Sequence, residues 1–550
     1  MKIKLLIFFL LSAFMLSAQA DSTAIPPKSK PKKQHRYPLP DPMPFATTIT
    51  AEDLKPLVET LAGPAMEGRE TGEEGQRKAA DFIAAQFKEL GLPAAGDRNT
   101  YFQQISLQNE SWKDLGLKIG EQEFKNRTDF YVFPAFNPVN PKLELKEVVF
   151  VGYGIEDPKY NDYGDADVKG KAVIFYDGEP MGDNGKSLIT GNDFRSSWSL
   201  DWKRKVQLAR KKGAVMVFIV DTQFAENQKA NRKLTSTWGW KPVSSQSGKQ
   251  TSDFINNLFI SPEVAAVILG KKAEKADDAI AALKSGKEFK PVKVKTKIEV
   301  RFDKEVKKLQ GSNVIGFIEG TDSVLKKEFV FITAHYDHLG MSDSTVIYHG
   351  ADDNASGTSG VIEIARAFVE AKKKGIGPKR SVVCMLVSGE EKGLLGSRFY
   401  VEYPVFPLSN TIVDINIDMI GRIDAAHAGN PNYIYVIGSD RLSTELHRIN
   451  EDVNQRFTKL DLDYKYNAPD DPNRFYERSD HYNFAERGIP AIFYFNGTHA
   501  DYHKPTDTAD KIDFDALAKR AQLAFCTAWD IANRTTRIHA DVVQEKTKKD

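Results

Sequence analysis

Apolar runs and helical stretches alternate through the carboxy-terminal half of the chain. Five runs rich in Val, Ile and Phe predict buried strands at 313–318, 329–334, 381–387, 411–418 and 491–495. Helical stretches lie between several of these runs. This alternation predicts an α/β fold with a mostly parallel central sheet flanked by helices. Ligands of such sheets bind at the carboxyl ends of the strands, so the residues that follow each run are candidates for function.

The regions before these runs have a different character. A helical pattern covers 77–90 and ends at Gly91. Between 146 and 304, short β-like runs mix with turns rich in Gly and Lys, and no histidines cluster with carboxylates. We therefore predict that a smaller β-rich module is inserted into a discontinuous main domain. The predicted parts are a signal peptide (1–20), a linker (21–45), the main domain (46–145 and 305–535), the inserted module (146–304) and a charged tail (536–550).

The amino terminus has the pattern of an export signal. Lys2 and Lys4 precede an apolar run over 5–16, and the small residues of Ala18-Gln19-Ala20 fit a cleavage site. A membrane anchor is the alternative, but the run is short for a membrane span. We expect a periplasmic or secreted protein with no transmembrane segment after cleavage. The Pro- and Lys-rich stretch 21–45 predicts an extended linker, with a polyanion-binding arm as the alternative.

Charge and cysteine content narrow the possible functions. The chain has 76 Lys and Arg against 75 Asp and Glu, which argues against nucleic-acid binding across the whole chain. Two cysteines are too few for a disulfide framework. Cys384 lies within an apolar run and is expected to be a packing residue. No Gly-x-Ser-x-Gly motif stands out, which disfavours a serine hydrolase.

Metal-binding residue types follow the predicted strands. Zinc binds imidazole nitrogen and carboxylate oxygen, and two zinc ions need about five ligands if one carboxylate bridges them. The pair Glu390-Glu391 can supply a base and a ligand from one strand end. Asp337 can accept the second N–H of the His335 ring. The candidate segments are 335–338, 350–357, 390–391, Asp418 and 499–503.

These motifs resemble the co-catalytic di-zinc aminopeptidase family, relatives of the secreted bacterial leucyl aminopeptidases and of glutamate carboxypeptidase. The segments Met66-Glu67-Gly68-Arg69 and Arg478-Ser479-Asp480-His481 resemble the same family. The region 146–304, with Val151-Gly152-Tyr153-Gly154, resembles the protease-associated domain found in some of these enzymes. The resemblance implies a zinc-exopeptidase fold and two Zn²⁺ ions as cofactors. The implied metal ligands are His335 and Asp418 for one zinc, Glu391 and His503 for the other, and Asp352 as a bridge to both.

The resemblance also implies roles in the reaction. Glu390 would act as general base on a metal-activated water and then pass the proton to the leaving amine. Asp337 would orient His335, and a cis peptide bond would follow Asp352. His499 competes with His503 as the last ligand, although the Asp-Tyr-His pattern favours His503. The two remaining histidines near the motifs, His338 and His481, are expected to lie behind the ligands or on the substrate side.

The expected function is removal of amino-terminal residues from peptides. A carboxypeptidase or dipeptidase on the same scaffold remains open, because the motifs do not decide which peptide end is bound. A glutaminyl cyclase, which typically uses one zinc, and a catalytically inactive binding protein are further alternatives. The complete ligand set and Glu390 argue against the inactive protein. Peptides are the expected partners, with no nucleic acid, and the sequence leaves the oligomeric state open.

Overall fold

The computed structural model describes residues 39–158, 160–231, 240–243, 254–284, 289–342 and 345–542. The predicted signal peptide and much of the predicted linker and charged tail lie outside these residues. Within the described part, no helix has the length and apolar character that a membrane span needs. The end of the predicted linker is packed, because Phe45 contacts Trp529 with ring centroids 5.5 Å apart.

Every apolar run that predicted a strand in the carboxy-terminal half forms a strand or lies within one. The helices are α1 (Met43–Ala46), α2 (Ala51–Leu61), α3 (Glu74–Glu89), α4 (Ser197–Leu200), α5 (Lys203–Lys211), α6 (Phe224–Ala230), α7 (Pro262–Leu269), α8 (Ala273–Lys284), α9 (Gly357–Lys373), α10 (Leu395–Glu402), α11 (Thr444–Val453), α12 (His481–Ala485) and α13 (Phe514–Asn533). The strands are β1 (Phe102–Ile119), β2 (Gln122–Phe124), β3 (Phe130–Tyr131), β4 (Asn140–Phe150), β5 (Glu156–Asp157), β6 (Tyr160–Asn161), β7 (Ala172–Tyr176), β8 (Met216–Val220), β9 (Lys241–Pro242), β10 (Asn256–Ile260), β11 (Val292–Ile318), β12 (Phe329–His335), β13 (Met341–Ser342), β14 (Val346–Ile347), β15 (Ser381–Val387), β16 (Thr411–Ile417), β17 (Tyr433–Ile437), β18 (Asp461–Asp463) and β19 (Ala491–Phe495).

The main sheet places the predicted strands side by side. β12 lies between β15 and β16 and runs parallel to both, with Phe329 opposite Ser381 and His335 opposite Val387. β19 continues the parallel set beyond β16. Every residue of β12, β15 and β16 is buried, including Cys384 as predicted, which explains their unbroken apolar runs. Because these strands are parallel, their carboxyl ends meet at one edge of the sheet.

Helices cover both faces of this sheet. Alternate residues of β12 pack into different hydrophobic clusters, as the two-residue period of a strand requires. On one side, Phe368 of α9 stacks on Trp529 of α13 with centroids 5.8 Å apart. On the other side, Phe331 contacts Tyr400 of α10 at 5.2 Å and Phe484 of α12 at 5.5 Å. The sheet is therefore the middle layer of an α/β structure, as the sequence predicted.

A long antiparallel ribbon of β1 and β11 extends from the main domain into the predicted inserted module. Its register runs from Phe102 opposite Val314 to Ile119 opposite Ile298. β11 pairs with β15 near its carboxyl end and with β4 near its amino end. One strand therefore belongs to both halves of a 15-stranded sheet, whose main path is β18-β17-β19-β16-β12-β15-β11-β4-β7-β8-β10-β3.

The predicted module 146–304 contains a parallel set of strands of its own. β4, β7, β8 and β10 run parallel to one another. Their apolar side chains form hydrophobic clusters distinct from those of the main domain. The predicted boundaries at 146 and 304 fall inside β4 and β11, so the backbone hydrogen bonding of both strands continues across them. The division into domains stays a prediction.

Arg380 connects the start of β15 to the end of α13. Its side chain is fully buried, and its Nε donates to Glu328 Oε2 at 2.7 Å. Its Nη1 donates to the carbonyl oxygens of Ile531, at 3.1 Å, and of Arg534. A buried charge that loses its partners is costly, so removal of one partner from this contact should destabilise the fold.

We expect Arg380→Gln to lower the free energy of unfolding by roughly 2–3 kcal/mol, because it leaves Glu328 without its buried cation. Urea denaturation of the purified protein measures this change. Lys326→Gln is the matched control, since it removes an exposed pair with Glu319 at 2.8 Å and should cost less than about 1 kcal/mol. Equal losses in the two variants would contradict the role given to Arg380.

Candidate metal centre

The predicted site residues lie at the carboxyl edge of the parallel strands. His335 is the last residue of β12, and Asp418 directly follows β16. Glu390 and Glu391 lie in the turn after β15, and His503 lies in the loop after β19. The edge expected from the strand order is thus the place where these side chains gather.

A first cluster contains His335, Asp353 and Asp418. The Nε2 atom of His335 lies 3.3 Å from Asp353 Oδ1 and 3.2 Å from Asp418 Oδ1. All three side chains are buried. Zinc binds nitrogen and oxygen ligands at about 2.0–2.2 Å, so ligand atoms around one tetrahedral ion lie about 3.3–3.5 Å apart. The spacing of these atoms fits one metal ion.

A second cluster shares Asp353 with the first. His503 Nε2 lies 3.1 Å from Asp353 Oδ2 and 3.2 Å from Glu391 Oε2. His338 Nδ1 lies 2.9 Å from Glu391 Oε1 and 3.7 Å from Asp353 Oδ2. The two oxygens of Asp353 therefore face two different groups of donors, which is the arrangement that a bridging carboxylate requires.

The prediction that Asp352 is the bridging residue is wrong. Its Oδ1 accepts the N–H of Gly421 at 2.7 Å, while Oδ2 accepts Asn496 Nδ2 at 3.0 Å and lies 3.2 Å from His499 Nε2. The backbone of the turn is not helical at Asp353, and the two adjacent carboxylates face different surroundings. The cis peptide bond follows Asp353 rather than Asp352. The sequence does not distinguish two consecutive aspartates, and the backbone of the turn decides which carboxylate lies next to the histidines.

The structure separates the two competing histidines. His503 reaches the second cluster, as the sequence favoured, whereas His499 contacts Asp352. His481, expected near the site, packs against the rings of Tyr476 at 5.4 Å and Phe493 at 4.9 Å. Burial lowers the pKa of His481 to about 3, so this imidazole is neutral.

Asp337 acts on His335 differently from the prediction. The Nδ1 atom of His335 lies 3.1 Å from the backbone carbonyl oxygen of Asp337, whereas the carboxylate Oδ1 is 3.8 Å away. The carboxylate instead accepts Thr71 Oγ1 at 2.7 Å and the backbone N–H of Glu390 at 3.2 Å. The side chain of Asp337 thus holds the turn that carries Glu390, and its backbone orients the histidine. Thr71 was not identified from the sequence.

The surroundings of Glu390 favour the protonated form of its carboxyl group. Burial raises the pKa of its carboxyl well above the usual range, and the charge of nearby His335 opposes this only in part. The carboxylates of Glu391 and Asp418 add to the rise. A raised pKa makes a carboxyl group easier to protonate, which is useful in a group that must both take up and release a proton.

Two further residues that position the site were missed as functional candidates. Arg69 is fully buried and donates to the backbone carbonyl oxygens of Tyr336, His349 and Gly350, each at 2.8 Å. It therefore joins the two segments that carry the histidines and Asp353. Ser479 Oγ donates to Asp418 Oδ2 at 2.7 Å, which leaves Oδ1 facing His335. Their motifs resembled the family, but the sequence does not reveal which contacts they make.

A cavity opens beside the first cluster. It encloses about 340 Å³ of empty space, a volume that includes its open mouth. Its wall combines the polar and charged residues of the first cluster with a group of aromatic rings. The lining residues are His335, Asp353, Glu390, Asp418, Met419, Phe475, Arg478, Phe493, Phe495, Thr498 and Tyr502.

Residues 313–528, which include the whole donor set, match the model of Peptidase family M28. This part of the chain is therefore similar to the M28 peptidases. The chain is 27% identical to a probable leucine aminopeptidase of Arthroderma otae over 212 residues, which cover 38% of this chain and 55% of the relative. It is 26% identical to aminopeptidase YwaD of Bacillus subtilis over 243 residues, which cover 43% and 48%. The chain spans about half the length of these curated relatives.

Among solved structures, the chain is similar to an aminopeptidase from Aneurinibacillus sp. strain AM-1. The two are 20% identical, with a TM-score of 0.44, and the match covers 92% of this chain and 98% of the other. A zinc aminopeptidase from Bacillus subtilis is 18% identical with a TM-score of 0.42, covering 90% and 98%.

The geometry predicts opposite results for the two adjacent aspartates. Asp353→Asn should prevent tight binding of divalent metal in both clusters, because it weakens a ligand that they share. Asp352→Asn should leave the number of bound metal ions unchanged, since its carboxylate faces other groups. Elemental analysis of protein dialysed against buffered zinc measures the ratio. Normal metal content in Asp353→Asn, or loss of metal in Asp352→Asn alone, would contradict the assignment.

Proposed function

We propose that this protein is an exported zinc-dependent exopeptidase, and specifically an aminopeptidase that removes amino-terminal residues from peptides. The observation that carries the proposal is the pair of donor clusters that share Asp353 beside a small, partly aromatic cavity. The match of residues 313–528 to Peptidase family M28 supports it, as do the names of the aminopeptidases to which the chain is similar.

The donor set fits two zinc ions. His335, Asp418 and Asp353 Oδ1 would hold one ion, and His503, Glu391 and Asp353 Oδ2 the other. Asp353 Oδ2 and Glu391 Oε1 are buried without a hydrogen-bond partner among the described residues, which is the state expected of atoms that bind a cation. Imidazole and carboxylate ligands suit zinc. Bound zinc supplies a Lewis acid for the scissile carbonyl and lowers the pKa of a water molecule.

The residues of the chain supply positioning and proton transfer. Glu390 accepts a proton from the attacking water and later donates it to the leaving amine, a role that suits its raised pKa. The Asp337 carboxylate holds Glu390 through its backbone N–H, and Thr71 fixes that carboxylate from the other side. Ser479 holds Asp418 in the orientation that faces His335.

The cavity favours an apolar side chain beside the first cluster, because the rings of Phe475, Phe493 and Phe495 line it. Arg478 also lines the cavity, with its Nη2 3.4 Å from the hydroxyl oxygen of Tyr502. A guanidinium at the mouth of the cavity can bind a terminal carboxylate, and this contact favours a carboxypeptidase as the second candidate.

The remaining parts of the proposal concern location and architecture. The Lys-flanked apolar run at the amino terminus supports export to the periplasm or the medium. The separate hydrophobic clusters of residues 146–304 support a protease-associated domain inserted into the peptidase domain. Peptides are the proposed partners.

A matched pair of peptide panels tests the proposal on the purified mature protein. One panel has a free amino terminus and a blocked carboxyl terminus, and the other has the reverse. We expect amino-terminal residues to be released from the first panel and a zinc chelator to abolish this release. Cleavage confined to the second panel would make the protein a carboxypeptidase, and no cleavage of either panel would overturn the proposed activity.

Replacement of the general base should separate chemistry from metal binding. We expect Glu390→Gln to lower kcat by roughly 10²–10⁴-fold, because the carboxamide cannot take the proton, while the zinc content stays normal. Steady-state kinetics and elemental analysis measure the two quantities. Glu370→Gln on the exposed side of α9 is the control and should leave both unchanged. Retention of normal kcat in Glu390→Gln would remove Glu390 from the mechanism.

A further inference from the structure

We propose that His338 is a fourth protein ligand in the second cluster, so that the two metal positions are unequal. The inference rests on the proposed zinc site and concerns a residue that the sequence placed outside the ligand set. In this arrangement the second position is held by Asp353, Glu391, His503 and His338. The first position is held by three side chains and keeps a coordination position open.

The first argument is the position of the imidazole. The His338 side chain has no exposed surface, and its Nδ1 lies 2.9 Å from Glu391 Oε1 and 3.7 Å from Asp353 Oδ2. Ligand atoms of a tetrahedral zinc ion are expected to lie about 3.3–3.5 Å apart, so one of the two distances is slightly shorter and the other slightly longer than this value. The imidazole rings of His338 and His503 face this position with centroids 5.9 Å apart.

The second argument is unmet hydrogen bonding. Neither ring nitrogen of His338 has a hydrogen-bond partner among the described residues, although the ring is buried. Asp353 Oδ2 and Glu391 Oε1, the two oxygens closest to Nδ1, lack one as well. Burial of a polar atom without a partner is costly, and such atoms are rare in folded proteins. A cation between His338 Nδ1, Asp353 Oδ2 and Glu391 Oε1 would satisfy these three atoms at once.

The third argument is that the backbone is built to hold this ring. The N–H of His338 donates to the carbonyl oxygen of Arg69 at 3.2 Å. Gly350 packs against the ring so closely that a Cβ atom there would lie 2.6 Å from its Cγ and Cδ2 atoms. Gly350 also has a φ of 56°, which favours glycine. The ring therefore has a fixed place next to the carboxylates.

The position of the cavity agrees with the difference between three protein ligands at the first metal position and four at the second. All three members of the first cluster line the cavity, whereas of the second cluster only Asp353 does. Metal positions with four protein ligands are typically structural, and those with three keep a position for water or substrate. The first position therefore faces the substrate, and the second binds its ion more tightly.

Two substitutions distinguish a ligand from a hydrogen-bond donor. His338→Asn keeps an N–H near the Nδ1 position, which could still bond to Glu391, but it removes the imidazole. His338→Ala removes both. Zinc titration of the mature protein against a chromophoric chelator should resolve a tight and a weaker site in the wild type. We expect both variants to weaken the tight site by more than about 100-fold, beyond the 10–100-fold typical of residues behind the ligands.

His447→Asn is the control, because His447 contacts Ser439 at 2.9 Å and takes no part in the clusters. X-ray absorption of the two-zinc wild type provides a measurement that needs no variant. It should count three imidazoles for two zinc ions, from His335, His338 and His503, rather than two. A count of two, or a tight site retained in His338→Asn, would overturn the proposal. Failure of the wild type to bind zinc would overturn the proposed function itself.

Discussion

The candidate site depends on a group of buried carboxylates that lie close together at one edge of the parallel sheet. Asp353 shares one neighbouring histidine with Asp418 and another with Glu391, and Glu390 directly precedes Glu391. Carboxylates so close together in a buried position repel one another unless positive charge compensates them. These carboxylates also act on His503. Partial burial of its ring lowers the pKa of the imidazole, but the neighbouring carboxylates outweigh this effect and raise the pKa to about 10. Divalent cations are the natural complement of such a group of carboxylates.

The surrounding fold keeps this arrangement in place through bonds to the backbone. Arg69 uses its guanidinium on carbonyl oxygens of the two metal-site segments, so it links the segments instead of pairing with a carboxylate. Asp507 accepts the N–H groups of Asp352 and Asp353 at 3.0 and 3.2 Å and holds the turn from behind. Most of these contacts join residues far apart in the chain. The precision of the centre is therefore a property of the whole domain.

The region 146–304 reaches the same centre through two connections. The ribbon of β1 and β11 continues from one half of the sheet to the other without interruption. In addition, β9 pairs with β1, and the Trp240 ring before it lies 6.0 Å from Lys392 Nζ, directly after Glu391 in sequence. Lys392 also pairs with Glu70 at 2.8 Å. The region 146–304 therefore contacts the turn that carries Glu390 and Glu391.

The sequence by itself determined the strands, the order of the motifs and the types of ligand atoms, because buried parallel strands appear as continuous apolar runs and functional residues follow their carboxyl ends. It also favoured His503 over His499. Only the tertiary structure decided whether Asp352 or Asp353 is shared by the two clusters. It also decided that the Asp337 carboxylate accepts hydrogen bonds from Thr71 and Glu390, and that His338 lies next to Glu391. The direction of a side chain depends on the backbone of its turn and on partners that are distant in sequence. The identity of a residue and of its sequence neighbours reveals neither of these.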